Sequence, residues 1–160
     1  MGKQLSFIIL SAFVLIFFVG CSKKTATPSN KTNVQQYSFY ATINGTLWGT
    51  DSVSAIKYTD SQSGMVTILI LAENTDGSSI VVGVPENTTP GSYDINKTSL
   101  YGVSYKGPLG AYLASSGKIV ITSNKNNIVA GTFDCTMAPD PSGNSKGTLT
   151  ITNGGFNTAY

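Results

Sequence analysis

Apolar and polar residues alternate along most of this chain with the period of two that a half-buried β-strand requires, and the alternation is cut at short intervals by turn residues. The first such stretch begins near Val34, with Tyr37, Phe39, Ala41 and Ile43 on one face and Ser38, Tyr40 and Thr42 on the other. Asn44-Gly45 then predicts a hairpin, because a type I′ turn needs positive φ at both central residues. A second strand carries Leu47 and Trp48 and runs on through Val53 to Tyr58. After a turn at Asp60 to Gly64, Met65 to Ala72 is apolar on both faces. Asn74 to Gly77 turns the chain into Ile80, Val82 and Val84, ending at Pro85. Further extended pieces are predicted at Pro90 to Ile95, Leu100 to Lys106, Ala111 to Ala114, Lys118 to Thr122, the stretch holding Phe133, and Thr148 to Thr152.

Nine or ten short strands with no window of helical period predict an all-β, antiparallel, meander-like domain over residues 34–160. Its form is a β-sandwich or a flattened barrel, the sandwich being preferred because few small residues face inward.

The start of the chain has a different pattern. Lys3 precedes a mostly apolar, uncharged run from Leu5 to Val19, followed by Gly20 and Cys21. The run is shorter than the ~20 residues a membrane-spanning helix needs, and it stops at a small residue, as the core of a secretory signal does. Residues 1–20 are therefore expected to be a signal peptide. Phe18-Val19-Gly20-Cys21 resembles the lipobox of bacterial lipoproteins, which implies that Cys21 carries lipid and is the anchor to a membrane. After Cys21, residues up to 33 are Ser, Thr, Lys and Asn with one Ala and one Pro, the composition of a flexible tether over 21–33. Two readings compete with the lipoprotein: N-myristoylation at Gly2, which Met-Gly-Lys-Gln-Leu-Ser matches, and an uncleaved anchor helix.

Charge narrows the partners. The chain has no His and only 11% charged residues, against ~25% in ordinary soluble domains. From Val34 onward there are six Lys against six Asp and two Glu. A slightly acidic domain lacks the basic footprint of a nucleic-acid binder.

Without His, a nucleophile has no imidazole to activate it. Cys135 shares a face with Val129, Phe133 and Met137 and is expected to be a small buried hydrophobe. Glu73 and Asp76 bracket one turn and are the candidate carboxylate pair for glycoside hydrolysis. Asp140 and Asn144, in the Pro139 to Asn144 loop, are the candidate Ca²⁺ ligands, though their spacing matches no EF-hand. Neither set is compelling, so no catalytic residue, metal or cofactor is assigned.

The eight Tyr and one Trp fit either a sugar-binding sheet or ordinary cross-strand pairs among Tyr40, Trp48, Tyr58, Tyr101, Tyr105 and Tyr112. The face of the Met65 to Ala72 strand opposite Val66, Ile68 and Ile70 is apolar. Met65, Leu69 and Leu71, with Tyr101 and Tyr105 nearby, are the expected binding surface, unless the Pro85 to Asp94 loop covers it.

Phe39-Tyr-Ala-Thr-Ile-Asn-Gly45 with Trp48, Pro90-Gly-Ser-Tyr93, Ser116 to Thr122, Ala130-Gly-Thr-Phe133 and Thr152-Asn-Gly-Gly-Phe156 together resemble a family of small uncharacterised lipoproteins from Bacteroidota. The resemblance covers nearly all the chain after Cys21. It implies a fold and a place but no catalytic role. In that phylum acidic residues after the cysteine accompany export to the outer face. Ser22-Lys23-Lys24 has none, which implies a periplasm-facing anchor; the outer membrane is the expected place, although these residues do not separate it from the inner one. The expected function is a lipid-anchored, non-enzymatic envelope module that interacts with a protein or serves structure. A glycan-binding module is the alternative, and a hydrolase comes third.

Overall fold

The computed structural model describes residues 38–160. The expected signal peptide, the tether and the lipidation of Cys21 lie outside the described residues. Within them the chain forms ten strands: β1 (Phe39–Ile43), β2 (Thr46–Thr50), β3 (Val53–Thr59), β4 (Val66–Glu73), β5 (Ser79–Pro85), β6 (Gly91–Ile95), β7 (Gly102–Gly107), β8 (Gly110–Lys125), β9 (Ile128–Pro139) and β10 (Leu149–Ala159). All pairings are antiparallel, in the order β2-β1-β10-β9-β8-β7-β5-β4-β3, with β6 paired to the second half of β8. The expected all-β meander is what forms, as one curled sheet rather than two stacked ones.

The curl follows from chain length. Laid flat, strands ~4.8 Å apart in that order would hold β2 and β3 roughly 40 Å from each other. Yet β2 ends at Thr50 and β3 starts at Val53, a step of about 10 Å at full extension. The sheet must therefore bend through most of a turn to bring its two edges together.

Hydrogen bonds fix that corner. Thr50 Oγ1 donates to the Glu73 carbonyl at 2.8 Å, and the Glu73 amide donates to the Ser52 carbonyl at 3.1 Å. The indole Nε1 of Trp48 donates to Ser78 Oγ at 2.7 Å, and Ser78 Oγ donates to Asp76 Oδ1 at 2.5 Å. The edge strand β2 is thus clasped to the turn between β4 and β5.

The same corner explains why the expected single strand from Leu47 to Tyr58 is two. Trp48 and Thr50 are buried before the break, while Val53 and Ala55 turn inward after it. Inward positions change from even to odd numbers, which one strand of period two cannot do. Asp51 and Ser52 absorb the change, with Asp51 Oδ1 accepting from the Ser38 amide at 3.0 Å and Thr50 Oγ1 accepting from the Ser52 amide at 2.9 Å.

Two other expected breaks are absent. Ala111 to Ala114 and Lys118 to Thr122 belong to one strand, β8, which carries a bulge between Ala114 and Ser116. Gly117 follows the bulge opposite Cys135, where a Cβ would collide with the Asp134 carbonyl. Glycine here marks a close backbone crossing rather than a strand end. Likewise β10 does not stop at Thr152. Asn153 takes φ +51°, its amide donates to Asp134 Oδ1 at 2.7 Å, and the strand resumes to Ala159.

Side chains fill the concave face. Phe39, Ile68, Ile70, Ile80, Val82, Val84, Ile119, Ile121, Phe133, Met137, Leu149 and Ile151 are buried there. Phe39 meets Trp48 edge-on at 5.9 Å and Phe133 at 5.7 Å, and Phe156 lies 6.3 Å from Phe133. Such aromatic contacts are worth ~0.5–1.5 kcal/mol each beyond the area they bury.

On the edge strand β3, Lys57 bonds Glu86 at 2.6 Å and lies 4.9 Å above the Tyr160 ring. A lysine committed in this way discourages another strand from pairing with that edge.

Candidate functional site

With the interior packed, the usable hollows lie on the convex face. One with an apolar lining crosses β4, β5, β7 and β8, where the register aligns Leu69 with Gly83 and Gly83 with Gly102. Two directly paired glycines place no side chain on this face, so the sheet dips between Leu69 on one side and Leu113 on the other. The next row reads Leu71, Val81, Ser104, Leu113. The segment between β6 and β7 forms the rim, with Leu100 57% exposed, and Leu113 of β8 is 45% exposed. The result is a trough in two adjoining parts of about 320 and 460 Å³. Ser99, Tyr101, Gly102, Val103 and Leu113 line both parts.

Of the residues expected at this surface, Leu69 lines the trough and Leu71 stands half-buried beside it. Met65 does not reach it: it precedes β4, and its carbonyl accepts from the Asp60 amide at 2.9 Å in the turn. Tyr101 contributes to the lining, but its ring stacks on Tyr93 at 4.4 Å and its hydroxyl lies 3.1 Å from Thr88 Oγ1. Burial raises the pKa of that phenol.

Tyr105 is a correction. It is only 4% exposed and belongs to the core, facing its cross-strand partner Tyr112 at 6.4 Å. Alternation already puts Tyr105 on the side of the buried Val103, opposite the outward Ser104 and Lys106. The Pro85 to Asp94 loop expected as a possible cover meets Tyr101 through Thr88 and Tyr93 but contributes no residue to the lining, and its Glu86 and Thr88 carbonyls accept from Asn124 Nδ2 at 2.8 and 3.0 Å.

The residues not anticipated are Val81, Gly83, Leu100, Gly102 and Leu113. The available signal was the two glycines inside stretches that otherwise read as strand, a pattern that marks a place left open or closely approached.

Of the side chains considered for chemistry, Cys135, Asp76 and Asp140 are engaged structurally, while Glu73 meets the sheet corner through its backbone. Cys135 is buried, and burial, with a smaller effect from the neighbouring Asp134 carboxylate, pushes its thiol up to about 12. Asp76 accepts from the Ser78 hydroxyl and amide, which lower its pKa, the opposite of what a general acid for glycoside cleavage needs. Asp140 accepts from the amide and hydroxyl of Ser142 at 2.8 and 2.7 Å, and these bonds likewise lower its pKa. Among the described residues no group of three or more His, Cys, Asp or Glu side chains is placed to hold a metal.

Fold and surface together define an all-β domain of one curled sheet with a packed interior and an apolar trough outside it. The chain belongs to the family of a domain of unknown function, DUF6252, whose model matches residues 35–159. Searches of curated proteins and of solved structures found no match.

Proposed function

We propose that this protein is a non-enzymatic interaction module of the bacterial cell envelope, held to the membrane by lipid on Cys21. In this reading the trough receives an apolar segment of a protein partner, in the periplasm at the outer membrane. The observation that carries it is the Gly83–Gly102 depression flanked by Leu69, Leu100 and Leu113. Full burial of a leucine is worth ~1.5–3 kcal/mol, so covering the exposed half of Leu100 and of Leu113 contributes about 1 kcal/mol each. The engagement of Cys135, Asp76 and Asp140 within the fold supports a binding role over a catalytic one.

Leu69→Lys tests the reading by placing an ammonium group in the trough. Partner cross-linking in intact cells should be lost, while the melting temperature falls by only a few degrees, because Leu69 is half-buried rather than core. A collapse of stability would show that Leu69 supports the core. The trough would then have to be abandoned as a binding surface.

A further inference from the structure

A second hollow, built from different residues, lies on the convex face of β1, β10, β9 and β8. It measures about 460 Å³, and its lining includes Ser38, Tyr40, Thr122, Thr132, Phe156 and Asn157. The register aligns Tyr40 with Gly155, Gly155 with Thr132 and Thr132 with Val120. Gly155 leaves the sheet bare at the centre of this row, and the Tyr40 ring lies across it so closely that a Cβ on Gly155 would collide with the ring. Tyr40 nevertheless remains 41% exposed. An aromatic ring is thus held against backbone on one side and offered to solvent on the other. Around it Thr122, Thr132 and Asn157 are exposed, each from a different strand. The lining includes no Asp, Glu or Lys.

We propose that this hollow binds a neutral carbohydrate chain. The C–H face of a pyranose is apolar and carries slight positive charge, so it stacks on the electron-rich face of an aromatic ring. Its hydroxyls then need donors and acceptors at the periphery, which two threonine hydroxyls and a carboxamide supply. An anionic ligand would lose hydration here without meeting a positive charge, since the lining has no Lys. The volume falls in the range of small-ligand sites, a few hundred Å³. Four adjacent hydrogen-bonded strands hold the groups, so the site needs no rearrangement to form. This differs from the trough, which is flanked by the aliphatic Leu69, Leu100 and Leu113 and whose tyrosine ring is already stacked on Tyr93.

The test is calorimetry of the full chain in detergent with maltohexaose, cellohexaose, mannohexaose and chitohexaose. At least one should bind. Tyr40→Phe should keep affinity within about threefold, and Tyr40→Ala should weaken it by at least about tenfold. Tyr40→Ala also uncovers Gly155, so Thr122→Arg, at an exposed position, provides a second variant that fills the hollow without touching the ring. Its melting temperature should match the parent and its binding should be lost. Binding by none of the four sugars, or binding that survives both Tyr40→Ala and Thr122→Arg, overturns the proposal. Loss of sugar binding in Leu69→Lys would also overturn it, by moving the sugar to the trough.

Discussion

Replacing Ser78 with alanine should destabilise the fold well beyond the loss of one surface contact, because of what it leaves behind. Ser78 is 1% exposed and accepts the indole N–H of Trp48 at 2.7 Å. Ser78→Ala removes the acceptor and strands a buried donor, at a cost of about 1–3 kcal/mol. For a domain of this size 1 kcal/mol moves the melting temperature by roughly 3–6 °C, so a fall of roughly 6–12 °C is expected for a central value of about 2 kcal/mol. Ser78 also donates to Asp76, and that contribution must be separated. A double-mutant cycle does so. In a Trp48→Phe background the stranded N–H no longer exists, whereas the bond to Asp76 is lost as before. Ser78→Ala should therefore cost about 1–2 kcal/mol less in Trp48→Phe than in the parent, measured by urea unfolding. Circular dichroism is the suitable probe, since Trp48 is the only tryptophan. Equal costs in the two backgrounds, within about 0.3 kcal/mol, would show that the indole does not clasp the sheet edges.

Three further expectations follow from single groups. Asp76 has a lowered pKa in the folded state, so its contribution is present above its ordinary value of 3.8 and is lost as pH falls through the lowered value. The melting-temperature gap between Asp76→Asn and the parent should be present at pH 7 and close in strong acid; a gap unchanged across that range contradicts the assignment. Cys135, with its thiol raised to about 12, should resist iodoacetamide at pH 8 in the folded protein and react fully in urea. Rapid labelling under native conditions would refute its burial. Cys21→Ser should move the protein into the soluble fraction or leave it as full-length precursor, whereas mass spectrometry finding a free Cys21 thiol on processed, membrane-bound protein would remove the lipid anchor.

Local signals in the sequence located the strands and their inward faces wherever the pattern was regular. Asn44-Gly45 adopts the positive φ pair, 47° and 84°, that its hairpin needs. Ile68 and Ile70 lie buried with Leu69 between them facing out, and Cys135 sits inside with Phe133 and Met137. What escaped was long-range. Nothing local to Asp51-Ser52 announces that the strands on either side become opposite edges of the sheet, because that depends on β1 pairing with β10, more than a hundred residues away. Ser115-Ser116-Gly117 reads as a break because its partner across the bulge, Cys135, is invisible in the local window. The apolar outer face was legible in Leu69 and Leu71. Its centre was not, since a trough made by Gly83 opposite Gly102 exists only once β5 and β7 are in register.

The binding reading is tested most directly by filling that trough without disturbing the fold. A Cβ on Gly83 would make ordinary contacts at 3.7 Å with Leu69 and Thr67, and one on Gly102 would meet nothing within 4 Å. Valine favours strands at both positions. A photo-reactive benzoylphenylalanine at Leu113 would then be irradiated in cells carrying the full chain, with and without Gly83→Val and Gly102→Val. A discrete protein adduct from the Leu113 probe, lost in the filled variant at an unchanged melting temperature, is the expected result. No adduct at Leu113, or one that persists undiminished when the trough is filled, would contradict it.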